Sequence, residues 1–219
     1  EDKKKEYMLL GLRKIEGVNI QEFKNKFVEN PIYIFRKELE KLIKEELVEI
    51  DLNQIKTVLS TFRDSIYTDL YPDREEKWEY IPKTLIFAKS DKHADDIVGT
   101  IKEVFKEKFN NNDVPESFVQ KITYSAGDSN TLIKNFRVDK NFRVAVTVTL
   151  VATGTDVRPL EIVMFMADVK SDILYTQMKG RGCRTISDDK LKEVTPNSNG
   201  KDCFYVVDAV GVTNGEKHI

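Results

Sequence analysis

Two short stretches of this sequence carry side chains suited to chemistry. The first is Gln177-Met178-Lys179-Gly180-Arg181-Gly182-Cys183-Arg184. Arg181 and Arg184 stand three apart with a glycine between them, at the end of a predicted helix. At that spacing two guanidinium groups can converge on one phosphate through bidentate, charge-assisted bonds. The second stretch, Ala152-Thr153-Gly154-Thr155-Asp156-Val157, follows a predicted strand. Gly154 lets the backbone approach a ligand closely, and Asp156 can accept hydrogen bonds from sugar hydroxyls. Each stretch alone has a plainer reading: a solvated arginine pair is as good an account as a phosphate site, and turns commonly contain Gly and Asp. No metal site is expected. Cys183 and Cys203 form no CxxC pair, and with two histidines they do not make a tetrahedral zinc set. No G-x-x-x-x-G-K-[ST] loop occurs, and no D-E-x-x run follows an apolar strand, so the cradle of amides and lysine that holds a triphosphate is not in this sequence.

The elements that must position these stretches read as alternating strands and helices. Thr84-Leu85-Ile86-Phe87-Ala88 is a continuous apolar run, as in a strand covered on both faces. Ser90 suits a helix N-cap, and Ala94, Ile97, Val98, Ile101, Val104 and Phe105 then repeat at helical spacing. Strand Lys121–Tyr124, helix Thr131–Phe136, strand Arg143–Val148, strand Glu161–Met166, helix Asp172–Met178 and strand Phe204–Val207 follow. Such alternation predicts an α/β fold, a parallel sheet with helices on both faces. Ligands of such sheets sit beyond the carboxyl ends of the strands, which points to the loops at 88–91, 125–130, 149–159 and 167–171.

Ahead of this region the character differs. Ile20, Phe23 and Phe27 fall at helical spacing after Asn19, a good N-cap. Leu39, Leu42, Ile43 and Leu47 make an apolar stripe opposite Lys41 and Lys44, and Leu47–Ile50 alternates like a strand. The expected division is a small helical, winged-helix-like segment at 1–56, a connecting segment with some helix at 57–82, and the α/β domain at 83–219.

Composition bounds the function. The chain has 219 residues, 40% hydrophobic and 33% charged, with 35 Lys+Arg against 37 Asp+Glu and a net charge of −2. A folded globular protein is expected, and any nucleic-acid site must be local rather than a consequence of bulk basicity. There is no membrane-spanning apolar run, and EDKKKEY is not a secretion signal. The expectation is a cytoplasmic protein with no membrane partner.

Taken together and in order, Thr84–Ser90 (TLIFAKS), Val146–Val157 (VTVTLVATGTDV) and Gln177–Arg184 (QMKGRGCR) resemble motifs IV, V and VI of superfamily 2 helicases and translocases. The stretch from about Thr57 to Val212 resembles the motor subunit of type I restriction enzymes. LEIVMFMADVKSDILYTQMKGRGCRTI and FYVVDAVGVT run in that family's style. The resemblance implies the second RecA-like lobe of a motor whose ATP lies between two lobes. The first lobe supplies the phosphate-binding loop and the Mg²⁺-binding acid, and the second supplies arginine fingers. By this resemblance Arg181 and Arg184 are the fingers, which stabilise charge developing in phosphoryl transfer. Gln177 and Gly180 belong to the same nucleotide-facing motif, while Gly154 and Asp156 sense the nucleotide and link the lobes. Ser90 and Gly127 match positions that contact the DNA backbone without reading its sequence. A plain helix cap for Ser90 and a turn cap for Asp156 remain open. The family usually has an acid seven residues before the motif V Asp, and Thr149 stands there instead.

The resemblance further implies ATP and Mg²⁺ as cofactors only when the first lobe is present. It implies duplex DNA, that lobe, and methylation and specificity subunits as partners. Because the phosphate-binding loop and the nuclease domain have no counterpart, the isolated chain is not expected to hydrolyse ATP. The alternatives are a nucleic-acid-binding module using Lys41 and Lys44, and an accessory domain without motor activity. The latter arises because Tyr7–Val18 and the helices after it, about residues 5–50, resemble the carboxyl-terminal winged-helix-like domain of oxygen-independent coproporphyrinogen oxidases. The CxxxCxxC of those radical SAM enzymes is missing, so no radical chemistry follows. Two unrelated resemblances in one chain read as a mosaic.

Overall fold

An apolar run without alternation needs cover on both sides, and Thr84–Phe87 (β1) is buried at all four positions in the middle of a sheet. The computed structural model describes residues 2–12, 18, 20–39, 52–110, 112–122, 129–148, 156–167, 169 and 171–209. The chain divides into two units, Glu1–Asp51 and Leu52–Ile219. The sheet belongs to the second. With β2 (Val119–Lys121), β3 (Val144–Thr147), β4 (Ile162–Phe165) and β5 (Tyr205–Asp208), its order is β2-β3-β1-β4-β5. Every pairing is parallel, with Thr84 opposite Val144 and Ile162, and Phe87 opposite Thr147 and Phe165.

Side chains alternate across a strand, so this sheet makes two cores. Ile86, Val144, Val146, Ile162 and Met164 face one; Leu85, Phe87, Ala145, Val163 and Phe165 face the other. Helices α4 (Leu52–Ser65) and α5 (Asp91–Phe105) cover the first face, and α6 (Ser129–Val138) and α7 (Asp172–Lys179) the second. A short helix α8 (Asp188–Val194) precedes β5. The expected fold class, a parallel α/β sheet with helices on both faces, is the one observed.

Helix α5 starts where its sequence says it should. Ser90 is extended, and its hydroxyl accepts the His93 amide. Ala94, Ile97, Ile101, Val104 and Phe105 then face the sheet. Helix α4 packs along α5 through Ile55, Leu59 and Phe62, and the stripe runs into a π-helical turn at Ile66–Leu70. Burying each such side chain contributes about 1.5–3 kcal/mol. Residues 57–82 therefore supply core as well as connection. The stretch after the π turn is tied down by Tyr67 Oη donating to the Lys77 carbonyl at 2.7 Å, and by Asn197 Nδ2 donating to the Glu75 carbonyl at 2.8 Å.

Charges are buried at the amino edge of the sheet. Lys83 Nζ donates to the carbonyls of Asp139 (2.8 Å) and Phe142 (2.7 Å). Arg143, fully buried, donates to the carbonyls of Ile81, Lys140 and Val194 and to Thr195 Oγ1. Arg74 pairs with Glu161 at 2.7 Å and lies over the Tyr71 ring, 4.1 Å from its centroid.

The first unit contains α1 (Asp2–Leu12), α2 (Ile20–Phe27) and α3 (Pro31–Ile34). Met8, Phe23 and Phe35 are buried, with Tyr7, Val18, Phe27 and Leu39 around them. Tyr7 and Phe23 meet edge to face at 5.6 Å between centroids. Asn30 caps α3 by accepting the Ile32 amide at 3.1 Å, with Pro31 at the first helical position. Asn19, Lys41, Lys44 and the Leu47–Ile50 strand expected from sequence lie outside the described residues.

Candidate functional site

Asp156 lies on the segment that enters β4 and Arg184 in the loop after α7. Although distant in sequence, the two meet: Asp156 Oδ1 is 3.7 Å from Arg184 Nε. The other carboxylate oxygen, Oδ2, accepts from Arg158 Nε at 2.9 Å. This hydrogen bond, with the charges of Arg158, Arg184 and Arg137, holds the Asp156 carboxyl below the usual carboxylate range. Arg158 and Arg184 keep 63% and 65% of their side-chain surface exposed, so both guanidinium groups are open to solvent.

Arg181 is half-buried. It lines an apolar crevice with Ile133, Phe136, Val157 and Leu160. Burial, and then the charge of Arg184, push its guanidinium below its ordinary value. Helix α7 delivers this loop. Ser171 caps its start by accepting the Leu174 amide, and Gly180 closes its end with an amide donating to the Thr176 carbonyl at 2.8 Å. Gln177 is exposed on the last turn.

Gly182 is the tighter position: a Cβ there would stand 2.1 Å from Phe204 Cδ2, so only glycine lets the loop lie against that ring. Lys201 fixes the loop from below, with Nζ donating to the carbonyls of Arg158 (2.9 Å) and Arg184 (2.7 Å).

The structure thus brings Asp156, Arg181 and Arg184 together, beside the segments entering β4 and β5. That is the amino edge of the sheet, not the carboxyl edge where the general rule for α/β sheets directs attention. Ser90 lies at the carboxyl edge, three residues beyond β1, and so apart from the arginines. Its Oγ accepts the His93 amide at 3.2 Å and its hydroxyl hydrogen can still donate; His93 Nδ1 accepts the Lys89 amide at 3.1 Å. Burial lowers the His93 pKa, consistent with a neutral ring in that role. Gly127, Gly154 and Thr149 lie outside the described residues.

Sequence reasoning passed over Arg158, Gly182 and Lys201. Arg158 was signalled by its place two residues after Asp156. Lys201 gave no signal, because its partners are main-chain carbonyls rather than side chains.

Among the described residues no group of three or more His, Cys, Asp or Glu could hold a metal, and both cysteines are free and exposed. No described helix is long and apolar enough to cross a membrane.

Residues 1–56 match the HemN C-terminal domain family. The chain is 35% identical over 137 residues to the type I restriction enzyme EcoKI endonuclease subunit of Escherichia coli K12, a match covering 59% of this chain and 10% of that protein. The span is too long for Glu1–Asp51, so most of it falls on the α/β unit. Among solved structures, the chain resembles Mss116p DEAD-box helicase domain 2 bound to an RNA duplex, with 19% identity, TM-score 0.48 and coverage of 72% of this chain and 50% of that one. It also resembles the type ISP restriction-modification enzyme LlaBIII bound to DNA, with 14% identity, TM-score 0.44 and coverage of 79% and 11%. The Hef helicase domain of Pyrococcus furiosus follows at 15% identity and TM-score 0.42, covering 94% and 34%. Two sequence relationships therefore meet in one chain, a HemN C-terminal domain match at residues 1–56 and kinship of the larger part to a type I restriction endonuclease subunit.

Proposed function

We propose that the α/β unit is the second, RecA-like lobe of an ATP-driven DNA translocase of the type I restriction kind. The observation that carries this reading is the 3.7 Å approach of Arg184 to Asp156, residues of two separate motifs, on a surface where guanidinium groups outnumber carboxylates. Such a surface attracts a polyphosphate, and the kinship to a restriction endonuclease subunit supports the same conclusion. The chain spans about a tenth of that relative's length, and the activity of the whole is part of the proposal.

In this mechanism a separate first lobe holds ATP and Mg²⁺ with its own phosphate loop. Arg181 and Arg184 reach across the cleft to the γ-phosphate, with Gln177 and Gly180 beside them. The fixed cations stabilise charge that develops on the transferring group. Asp156 holds Arg184 in place and, with Gly154, couples nucleotide state to the lobe. Ser90, at the other end of the sheet, and Gly127 contact the DNA backbone, to which the Ser90 hydroxyl can donate. The working assembly adds methylation and specificity subunits in the cytoplasm, and this chain alone does not turn over ATP.

The test is reconstitution. The chain is mixed with a separately made first lobe and DNA-stimulated ATP hydrolysis is measured. Arg184→Ala is expected to lower turnover by about 10³-fold. Hydrolysis indifferent to Arg184→Ala sinks the proposal. DNA binding that survives Arg184→Ala and is lost on changing Lys41 and Lys44 points instead to a binding module in the first unit.

A further inference from the structure

We propose that Lys201 is a positioning residue for Arg158 and Arg184, a staple that makes two loops move as one. The proposal rests on the reading that Arg184 meets a phosphate. Lys201 Nζ donates to the Arg158 carbonyl at 2.9 Å and to the Arg184 carbonyl at 2.7 Å. On the side-chain side the same two arginines converge on Asp156, at 2.9 Å and 3.7 Å. A closed ring results: ammonium, Arg158, carboxylate, Arg184 and back to the ammonium. An ammonium has three donors and no acceptor, so it suits a point between two carbonyls.

The staple itself is anchored. Gly200, just before Lys201, has φ +123°, a conformation that L side chains rarely adopt. Its amide donates to Ser198 Oγ at 3.1 Å, and Asn199 Nδ2 donates to the Asp73 carbonyl at 3.1 Å. Three residues on, Phe204 fills the space that Gly182 leaves open. Segment 198–204 is thus a fixed bed on which the arginine loop lies. Without the staple, the Asp156–Arg184 contact, longer than a hydrogen bond, is all that links the two loops through this ring. Holding the loops together before ligand arrives removes an ordering cost from binding.

The test reads side-chain order directly. In the intact chain, ¹⁵N relaxation of the Arg Nε–Hε groups reports on Arg158 and Arg184, with the β4 and β5 amides as the internal control. Lys201→Met is expected to loosen both arginine groups together and leave the strand amides unchanged, while Lys201→Arg, which keeps charge and donors, restores order. If Lys201→Met does not fold, Lys201→Gln, which keeps one side-chain donor group, carries the same comparison. Arginine order unchanged in the folded variant overturns the proposal.

Titration with inorganic triphosphate separates this from the motor reading. Triphosphate is expected to perturb the Arg184 signal, with affinity falling about tenfold in Lys201→Met. Loosening without triphosphate binding to the wild-type chain supports the staple and counts against the phosphate role. Triphosphate binding with unchanged arginine order overturns the staple and leaves the phosphate role standing.

Discussion

The α/β unit gathers lysine and arginine side chains in two places and treats them in opposite ways. Beneath the strand starts, Lys83, Arg143 and Arg74 are buried, and their hydrogen bonds end on main-chain carbonyls, Thr195, Ser198 and Glu161. A little further out, Arg158 and Arg184 share Asp156 and stay exposed. The inner group directs its hydrogen bonds into the fold, though Arg74 Nε and Nη1 are buried without a partner, and breaking the Arg74–Glu161 pair leaves a charge stranded in a medium that solvates it poorly. The outer group leaves much of that capacity facing solvent. Cation count alone therefore says little about binding; where the donors end says much.

The contrast can be broken by mutation, beginning with the largest effect on stability. Glu161→Ala strands Arg74 and removes the acceptor of the Lys83 amide and of Thr195 Oγ1. It should cost about 3–5 kcal/mol in chemical denaturation. A cost under 1 kcal/mol would mean that the inner group is as dispensable as a surface pair. Next, Gly182→Ala forces Phe204 aside, at about 1–3 kcal/mol, and should disorder the arginine loop in amide exchange while the β1–β3 amides stay protected. Lys83→Met probes the inner group through pH. Burial, reinforced by the charge of Arg143, lowers the Lys83 ammonium to about 6. Between that pH and its ordinary value the unfolded chain binds the extra proton, so stability rises with pH across the window. Lys83→Met should flatten that rise by up to about 1.4 kcal/mol per pH unit, measured as denaturation midpoints from pH 6 to 9. The smallest effect belongs to the outer group: Asp156→Asn should change stability by less than about 1 kcal/mol. A larger loss would make Asp156 structural, as in a turn cap.

Much of this arrangement could be read before any coordinates. The run at 84–87 announced a central strand, and the periodicity after Ser90 announced α5, because burial on both faces and on one face leave different patterns. Boundaries slid where chemistry is mixed. The second strand is Val119–Lys121 rather than Lys121–Tyr124, with Val119 the fully buried position; Tyr124 lies outside the described residues. Helix Asp188–Val194 escaped notice because only Leu191 and Val194 are buried in a charged sequence. Side-chain type and spacing singled out Asp156, Arg181 and Arg184 as candidates, but that Asp156 meets Arg184 came only from the structure. Lys83, Arg143 and Lys201 were not, because hydropathy places Lys and Arg at the surface and a bond to a main-chain carbonyl leaves no mark on the partner's identity.

One detail of the helix that opens the larger unit bears on where the family match ends. The HemN family match runs to residue 56, yet the unit carrying the sheet begins at Leu52, and Ile55 is buried in its core. The matched segment and the folding unit overlap by about one helical turn. A protein trimmed to begin at Thr57, as kinship alone would suggest, would lose an isoleucine from under the sheet and start its first helix without a lead-in. For this chain, the end of a sequence match is a poor guide to where the scissors should go.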